Sequence, residues 1–188
     1  MFPEGYQKKE LTMGGIKANL YSLVFLVPVL LVFYLPFSII WSYSINLDSF
    51  SMIIREHGLL FFGLLVSGIF VHELIHGITW ALFAKNGFRS ISFGFNLKVF
   101  SPYCHCKEVL EIGHYRKGTI MPGIITGVLP SIVGILTGNL IFLLSGIILT
   151  MAAGSDFLFI WLLRKEAKDS LVLDHPDELG CFIYSPKK

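Results

Sequence analysis

Long stretches without a charged residue dominate this sequence and determine the solvent in which it can fold. No charge occurs between Leu20 and Trp41, and this block matches the roughly 20 helical residues that cross a hydrocarbon core. A second block, 59–84, is apolar apart from three ionisable residues at its centre, and a third runs from Thr119 to Ser155. Charged residues make up 15% of the chain, against about 25% in soluble domains. The sequence therefore predicts a membrane protein.

The number of membrane spans follows from the lengths of these blocks. The third block is too long for one crossing, and its Thr137-Gly138-Asn139 cluster predicts a turn. Glycines at four-residue spacing, such as Gly123 with Gly127, either let the third helix pack closely or are ordinary membrane glycines. We predict an all-α membrane protein of one domain, 1–188, with four transmembrane helices at approximately 20–41, 59–84, 119–136 and 140–163.

The polar segments between the blocks predict a small amount of β-structure. Residues 91–99 alternate apolar and polar side chains, which predicts a β-hairpin at approximately 89–108, between spans two and three. The polar tail, 164–188, contains one possible short strand at 181–184. Basic residues gather before span one, between spans two and three, and after span four. By the positive-inside rule, both termini and the hairpin are expected on the cytoplasmic side.

Charge and cysteine content argue against a nucleic-acid-binding protein and against a protein stabilised by a disulfide framework. The formal net charge is +2 and no basic run contains interleaved aromatic residues, so no nucleic-acid partner is expected. Three cysteines, Cys104, Cys106 and Cys181, are an odd number without a disulfide framework.

The ionisable residues at the centre of the second span form the motif His72-Glu73-Leu74-Ile75-His76. Residues four apart share one helical face, so His72 and His76 can offer imidazole nitrogens to one metal ion. Glu73 lies beside them and can act as general base on a water acidified by Zn²⁺. The alternative is a polar cluster that hydrogen-bonds neighbouring helices. Ionisable residues are costly inside a membrane unless they are bound or paired, which favours the metal site.

A catalytic zinc site needs a third protein ligand, and Asp156 is the only other charged residue inside a predicted span. His76 and Asp156 precede the cytoplasmic ends of their spans by similar numbers of residues, so at about 1.5 Å per residue they lie at one depth. Asp156 could instead form hydrogen bonds within the helix bundle. Three histidines are rival ligands: His57, His105 and His114.

These residues resemble a known group of enzymes. The His-Glu-Leu-Ile-His motif in a membrane helix, a polar hairpin and an aspartate in the last helix resemble the site-2 protease group of intramembrane metallopeptidases. The segments 71–77, 103–108, 153–156 and 174–176 more closely resemble the bacterial putative zincin peptidase family, long described as a domain of unknown function. The resemblance implies Zn²⁺ held by His72, His76 and Asp156, with Glu73 as catalytic base. In one departure, Asp156 precedes Phe157, whereas site-2 proteases usually have glycine there.

The hairpin contains a second group of possible metal ligands, Cys104-His105-Cys106. Alternation along a strand puts both cysteines on one face and His105 on the other, which argues against a second metal site. The exposed edge of the hairpin could bind an extended substrate by strand addition. Asn96, Tyr103 and His105 are possible oxyanion stabilisers by location, and the sequence does not choose among them.

The sequence thus predicts a zinc metallopeptidase in the bacterial cell membrane that cleaves membrane-associated polypeptides. Two other classes remain open at this point. One is a non-catalytic relative that binds metal for folding or holds a partner helix, and the other is a metal carrier. A carrier should have a path of donors through the membrane, whereas these residues form one cluster. The oligomeric state is left open.

Overall fold

The computed structural model describes residues 5–42, 47–97, 101–176 and 178–187, and most of them are helical. Three helices are long and apolar enough to cross a membrane: α1 (Leu20–Trp41), α2 (Leu47–Ala81) and α3 (Ile112–Thr137). A fourth span is possible as a bent pair, α4 (Leu140–Ala152) and α5 (Gly154–Leu163), whose axes differ by 46°. The described residues therefore contain three such helices, or four if the bent pair is one span.

Two of these helices contain 3₁₀ or π-helical segments. A short helix, Gly15–Ser22, leads into α1, which then contains a 3₁₀ turn at Leu23–Phe25 and a π-helical segment at Leu30–Tyr34. A second π-helical segment, Gly123–Val128, lies in the middle of α3 directly after Pro122. Proline lacks the backbone N–H of a regular helix, which is a recognised cause of such irregularity.

The helices begin or bend at residues other than the predicted span boundaries, and which residues lie in the membrane stays a prediction. α2 begins at Leu47 instead of 59, with a kink at His57, because its first turns are helical although they carry charged residues. The sequence did not predict that the residues between spans one and two are helical from Leu47 onward, and 43–46 lie outside the described residues. α3 begins at Ile112 instead of 119, and the span predicted at 140–163 bends after Ala152. Hydropathy identifies long apolar segments, but it does not identify helical turns that carry charged residues.

The turn between α3 and α4 was predicted correctly. Gly138 ends α3 in the left-handed conformation, with a φ of 71°, which glycine adopts without strain. The Asn139 side chain then caps α4 by accepting hydrogen bonds from the backbone N–H groups of Ile141 and Phe142, at 3.0 and 3.1 Å.

A four-stranded antiparallel sheet joins the two ends of the chain. Its strands are β1 (Tyr6–Thr12), β4 (Leu110–Glu111), β5 (Leu171–Asp174) and β6 (Gly180–Pro186), in the order β1-β6-β5-β4. The sequence predicted one short strand near β6 and missed the other three. The expected all-α class is thus correct for the helices and incomplete for this sheet. Pairing between residues at opposite ends of the chain leaves no local sequence pattern.

The predicted hairpin is present between α2 and α3. It consists of β2 (Ile91–Asn96) and β3 (Ser101–Cys106), which follow a 3₁₀ turn at Gly87–Ser90. The antiparallel register pairs Ile91 with Cys106 and Asn96 with Ser101, while 98–100 lie outside the described residues. Its cytoplasmic location stays a prediction.

The chain divides into two compact units, each with a core of its own. The first comprises Met1–Tyr21, Glu73–Met121 and Ser155–Lys188, and the second comprises Ser22–His72 and Pro122–Gly154. The first core consists of Trp80, Ala81, Ile91, Cys106, Leu110, Ile112, Tyr115, Leu163, Val172, Cys181 and Ile183. The second consists of Val29, Phe33, Phe37, Leu143 and Ile147. One domain covering 1–188 stays a prediction.

Apolar side chains cover much of the outer surface of the helices. In α2 alone, Leu59 is 93% exposed, and Phe62, Val66 and Phe70 are each more than half exposed. A soluble monomer rarely exposes apolar patches of this extent, whereas lipid solvates them without cost. The surface therefore agrees with the hydropathy of the sequence.

Within the second unit, α3 and α4 approach closely at small residues. A Cβ atom added to Gly134 would lie 2.5 Å from the backbone nitrogen of Leu143, and one at Gly127 would lie 2.4 Å from the hydroxyl of Thr150. Both positions therefore need glycine, and Gly127 serves the packing role that the sequence left open.

Candidate metal centre

The two histidines of the motif lie one turn apart on α2. They belong to an unbroken part of this helix, downstream of its kink, and their spacing places both imidazoles on one face. His76 is buried and His72 is half-buried, whereas Leu74 and Ile78 on the opposite face are exposed. The helix therefore turns its histidine face inward and its apolar face outward.

His76 is held in a defined orientation by two neighbours. Its Nδ1 atom lies 2.9 Å from the carbonyl oxygen of Gly118 in α3, so Nδ1 carries the proton and donates this hydrogen bond. The ring of Trp80 stacks on the imidazole at a centroid distance of 4.9 Å. Because Nδ1 is engaged, Nε2 is the nitrogen with a lone pair available to a metal. Ligand histidines in proteins usually have such a partner on the second nitrogen.

Asp156 provides a carboxylate on the Nε2 side of this imidazole. It lies in the first turn of α5, and its Oδ2 atom is 3.6 Å from His76 Nε2. One donor atom each from His72, His76 and Asp156 lies within 4.8 Å of the other two. Among the described residues, this is the one group of three His, Cys, Asp or Glu side chains with donors so close together.

The position of α5 is secured at its other end by an arginine. The Arg116 guanidinium in α3 donates hydrogen bonds to the backbone carbonyls of Leu163, the last residue of α5, and of Glu166 in the turn that follows. Carbonyls at a helix C-terminus have no partner within the helix, so a cation there is favourable. The same segment of α3 therefore orients His76 through Gly118 and secures the helix that carries Asp156.

Glu73 is half-buried and follows His72 directly on α2. Its charge acts both on His76 and on the thiol of Cys104 in β3. Burial, followed by the charges of Glu73 and Asp174, raises the pKa of Cys104 well above its usual range. Glu73 therefore interacts electrostatically with both His76 and the hairpin.

The hairpin packs directly on the motif helix. A Cβ atom added to Gly77 would lie 2.4 Å from the ring of Phe93, so glycine is needed where β2 approaches the residue after His76. The register places Phe93 beside Cys104, and Ile91 beside Cys106, on one face of the hairpin. His105 lies on the other face, as the alternation predicted.

The rival histidines lie elsewhere. His105 Nδ1 is 3.7 Å from Asp174, and His114 stacks on Phe83 with its Nδ1 atom 3.6 Å from Glu111. His57 lies at the kink of α2, fifteen residues before His72. Within the described residues, none of the three belongs to a group of close metal donors. A choice among Asn96, Tyr103 and His105 as oxyanion stabiliser stays open.

One buried group near the site was missed by the sequence analysis. Asp174 in β5 is 7% exposed and accepts hydrogen bonds from the Tyr115 hydroxyl at 2.5 Å and the Cys106 backbone N–H at 2.8 Å. Burial raises the pKa of its carboxyl group, although these donors oppose the shift. In the sequence analysis, 174–176 contributed to the family resemblance, and no role was assigned to the Asp174 carboxylate. A signal was available, since Asp174 directly follows the apolar run Leu171-Val172-Leu173.

Fold and site together define a class: a mostly helical protein with helices able to span a membrane, in which two imidazoles and a carboxylate could hold a metal ion. A family model described as "Putative zincin peptidase" matches residues 65–171. The match covers more than half of the 188 residues and includes His72, Glu73, His76 and Asp156. The chain belongs to this family. No significant match was found among curated proteins or solved structures.

Proposed function

We propose that the protein is an intramembrane zinc metallopeptidase that hydrolyses peptide bonds of membrane-associated polypeptides. The observation that carries the proposal is the convergence of donor atoms from His72, His76 and Asp156 within 4.8 Å. Two nitrogen donors and one carboxylate form a three-ligand set that suits catalytic Zn²⁺ and leaves a position for water. The family description supports the same class of reaction.

The donor set fits the metal in one further respect. The Nδ1–H group of His76 donates a hydrogen bond to the backbone carbonyl of Gly118, and Nε2 lies on the side of Asp156. The imidazole therefore has the tautomer that a metal ligand needs. When bound, Zn²⁺ would lower the pKa of a water molecule and polarise the scissile carbonyl.

The protein's own residues supply the proton transfers. Glu73 accepts a proton from the attacking water and later returns it to the leaving amine, as general base and then general acid. The electrostatic influence of Glu73 on both His76 and Cys104 supports this role. The burial of His76 limits competing water at this side of the site.

The substrate backbone is proposed to bind along the hairpin in an extended conformation. In the described part of the chain, β2 and β3 pair only with each other, so the outer edge of this two-stranded sheet is open to a further strand. An extended peptide exposes the scissile carbonyl that a helix conceals. By the distribution of basic residues, both termini and the hairpin face the cytoplasm, and the host membrane is the bacterial cell membrane.

The test combines metal content with cleavage. Purified protein in detergent is expected to bind one zinc ion and to cleave fluorescently labelled single-span membrane peptides, and a chelator should stop cleavage. Glu73→Gln should retain zinc and lose cleavage, because the amide cannot accept the proton. Glu56→Gln, an exposed position on the same helix, is the matched control and should retain both.

Two results would contradict the proposal. A Glu73→Gln variant that cleaves at the wild-type rate would remove the proposed base. A wild-type protein that binds zinc and unfolds without it, yet cleaves none of the peptides, would instead identify a non-catalytic metal-binding relative.

A further inference from the structure

A column of three aromatic rings lies within the first unit and begins at the proposed metal ligand His76. Trp80 stacks on His76 at 4.9 Å and 20°, and Tyr115 stacks on Trp80 at 5.4 Å and 17°. The indole Nε1–H of Trp80 donates to the backbone carbonyl of Tyr115 at 3.1 Å. The rings therefore have fixed positions relative to one another.

Gly118 makes room for this column. A Cβ atom at this position would lie 2.1 Å from two atoms of the Trp80 ring. The same residue accepts the hydrogen bond from His76 Nδ1. The orientation of the metal ligand and the position of the Trp80 ring are thus determined together.

The column ends on Asp174, a carboxylate that the metal site does not use. Its Oδ1 atom accepts a hydrogen bond from the Tyr115 hydroxyl, and its Oδ2 atom accepts one from the backbone N–H of Cys106 in β3. His105, the neighbour of Cys106, lies 3.7 Å from Oδ2. A buried carboxylate is costly unless its oxygens are hydrogen-bonded, and here each oxygen bonds a different structural element. Asp174 thereby joins the hairpin to the column.

We propose that Asp174 is a positioning residue that couples the hairpin to the metal ligand His76 through Tyr115 and Trp80. The coupling rests on the proposed function, in which the hairpin binds substrate and His76 binds zinc. A displacement of β3 acts on Asp174 through the hydrogen bond from Cys106, and Asp174 in turn holds the Tyr115 hydroxyl. A displacement of the Tyr115 ring then changes how Trp80 stacks on His76. Engagement of substrate at the hairpin is therefore transmitted to the geometry of the ligand.

The first measurement is cobalt binding, because the visible absorption of bound Co²⁺ reports ligand geometry. Asp174→Asn and Tyr115→Phe should each weaken Co²⁺ binding by about tenfold, as expected for partners behind a ligand, and change the spectrum. The double variant should show a less than additive effect, because both changes break one connection. Val172→Ala is the matched control: it removes fully buried methyl groups from the same strand. It should lower thermal stability and leave the spectrum unchanged.

The second measurement needs no metal. The chain has three tryptophans, so Trp41→Phe/Trp161→Phe leaves Trp80 as the only one. In this background, Asp174→Asn and Tyr115→Phe should shift the Trp80 emission, and Val172→Ala should not.

The outcomes separate the two proposals. Unchanged Trp80 emission in both Asp174→Asn and Tyr115→Phe would overturn the coupling, as would a shift of equal size in Val172→Ala. If the wild-type protein binds no Co²⁺ or Zn²⁺, the peptidase proposal fails, and Trp80 emission alone then decides whether Asp174 positions the column. If Asp174→Asn does not fold, the Trp80 emission of Tyr115→Phe, which retains the ring, tests the coupling in its place.

Discussion

The Nδ1 atom of His76 lies 2.9 Å from the carbonyl oxygen of Gly118, a residue 42 positions later in the chain. This bond assigns the proton of the imidazole and leaves Nε2 directed toward Asp156. A backbone carbonyl in α3 thus decides which nitrogen of a side chain in α2 can bind metal. Four predictions follow from this arrangement and its surroundings.

Loss of the Asp156 carboxylate should remove a ligand. Asp156→Ala is expected to weaken zinc binding by more than about 100-fold, beyond the usual effect of losing a group that only supports a ligand. Competition with a chelator of known affinity measures this change. Asp169→Ala, an exposed aspartate after the same helix, should bind zinc as the wild type does. Undiminished zinc affinity in Asp156→Ala would show that another residue completes the site.

A methyl group at Gly118 should disturb both the ring column and His76. The added Cβ would lie 2.1 Å from the Trp80 ring, so Gly118→Ala should cost about 1–3 kcal/mol by overpacking and should weaken zinc binding. Gly113→Ala is the matched control on the same helix, since its Cβ would meet nothing within 4 Å. That variant should be neutral or stabilised by up to about 1 kcal/mol. Thermal unfolding and zinc titration test both; equal behaviour of the two variants would contradict the packing argument.

Glu108 should hold the hairpin to the end of α2 in a pH-dependent way. Its carboxylate accepts hydrogen bonds from the backbone N–H of Lys85 and the side-chain amide of Asn86. Partial burial alone would raise the pKa of Glu108, but these donors lower it below the ordinary value. Because the folded pKa is the lower one, the stabilisation is present above the unfolded pKa of about 4.3 and is lost as the pH falls through the folded value.

Hydrogen exchange of the hairpin amides measures this loss. Protection in the wild type should fall as the pH decreases below about 4, after correction for intrinsic exchange rates. Glu108→Gln, which cannot ionise, should show lower protection at neutral pH and no such fall. A wild-type profile identical to that of Glu108→Gln would refute the role of the carboxylate.

The buried thiols should react slowly with alkylating reagents, and their raised pKa should make the folded protein less stable at high pH. Burial raises the pKa of Cys106 to about 11 and that of Cys181 to about 12. All three cysteines are free, and Cys104 is the most exposed of them. With iodoacetamide at pH 8, intact mass measurement should show slow modification of Cys104 first, and full modification only after denaturation.

The pH dependence has a definite sign. A thiol in the unfolded chain ionises near pH 8.5, whereas in the folded state it keeps its proton to higher pH, so stability should fall as the pH rises above about 8.5. Cys181→Ala should show a shallower decline in melting temperature between pH 8 and 10. Parallel pH profiles for wild type and variant would contradict this assignment.

Local patterns explain what could be predicted before the structure was known. The apolar blocks and the turn at Gly138 and Asn139 arise from neighbouring residues, and both were identified correctly. The hairpin followed from alternation within one segment. By contrast, the pairing of β1 with β6 joins residues 6–12 to 180–186, and no periodicity within either segment specifies it. The start of α2 at Leu47 was missed because hydropathy does not detect a charged helical turn.

The sequence by itself determined that this chain has helices able to cross a membrane and that His72 and His76 share one helical face. Both are consequences of composition and of the 3.6-residue helical period, which act over a few residues. Tertiary structure decided that Asp156, and not His57, His105 or His114, joins the two imidazoles, that Gly118 sets the tautomer of His76, and that Asp174 lies behind the ring column. These features depend on which distant segments pack together. A hydrogen bond or a metal ligand must lie within about 3 Å of its partner, and the separation of two residues in the sequence does not show whether they come that close.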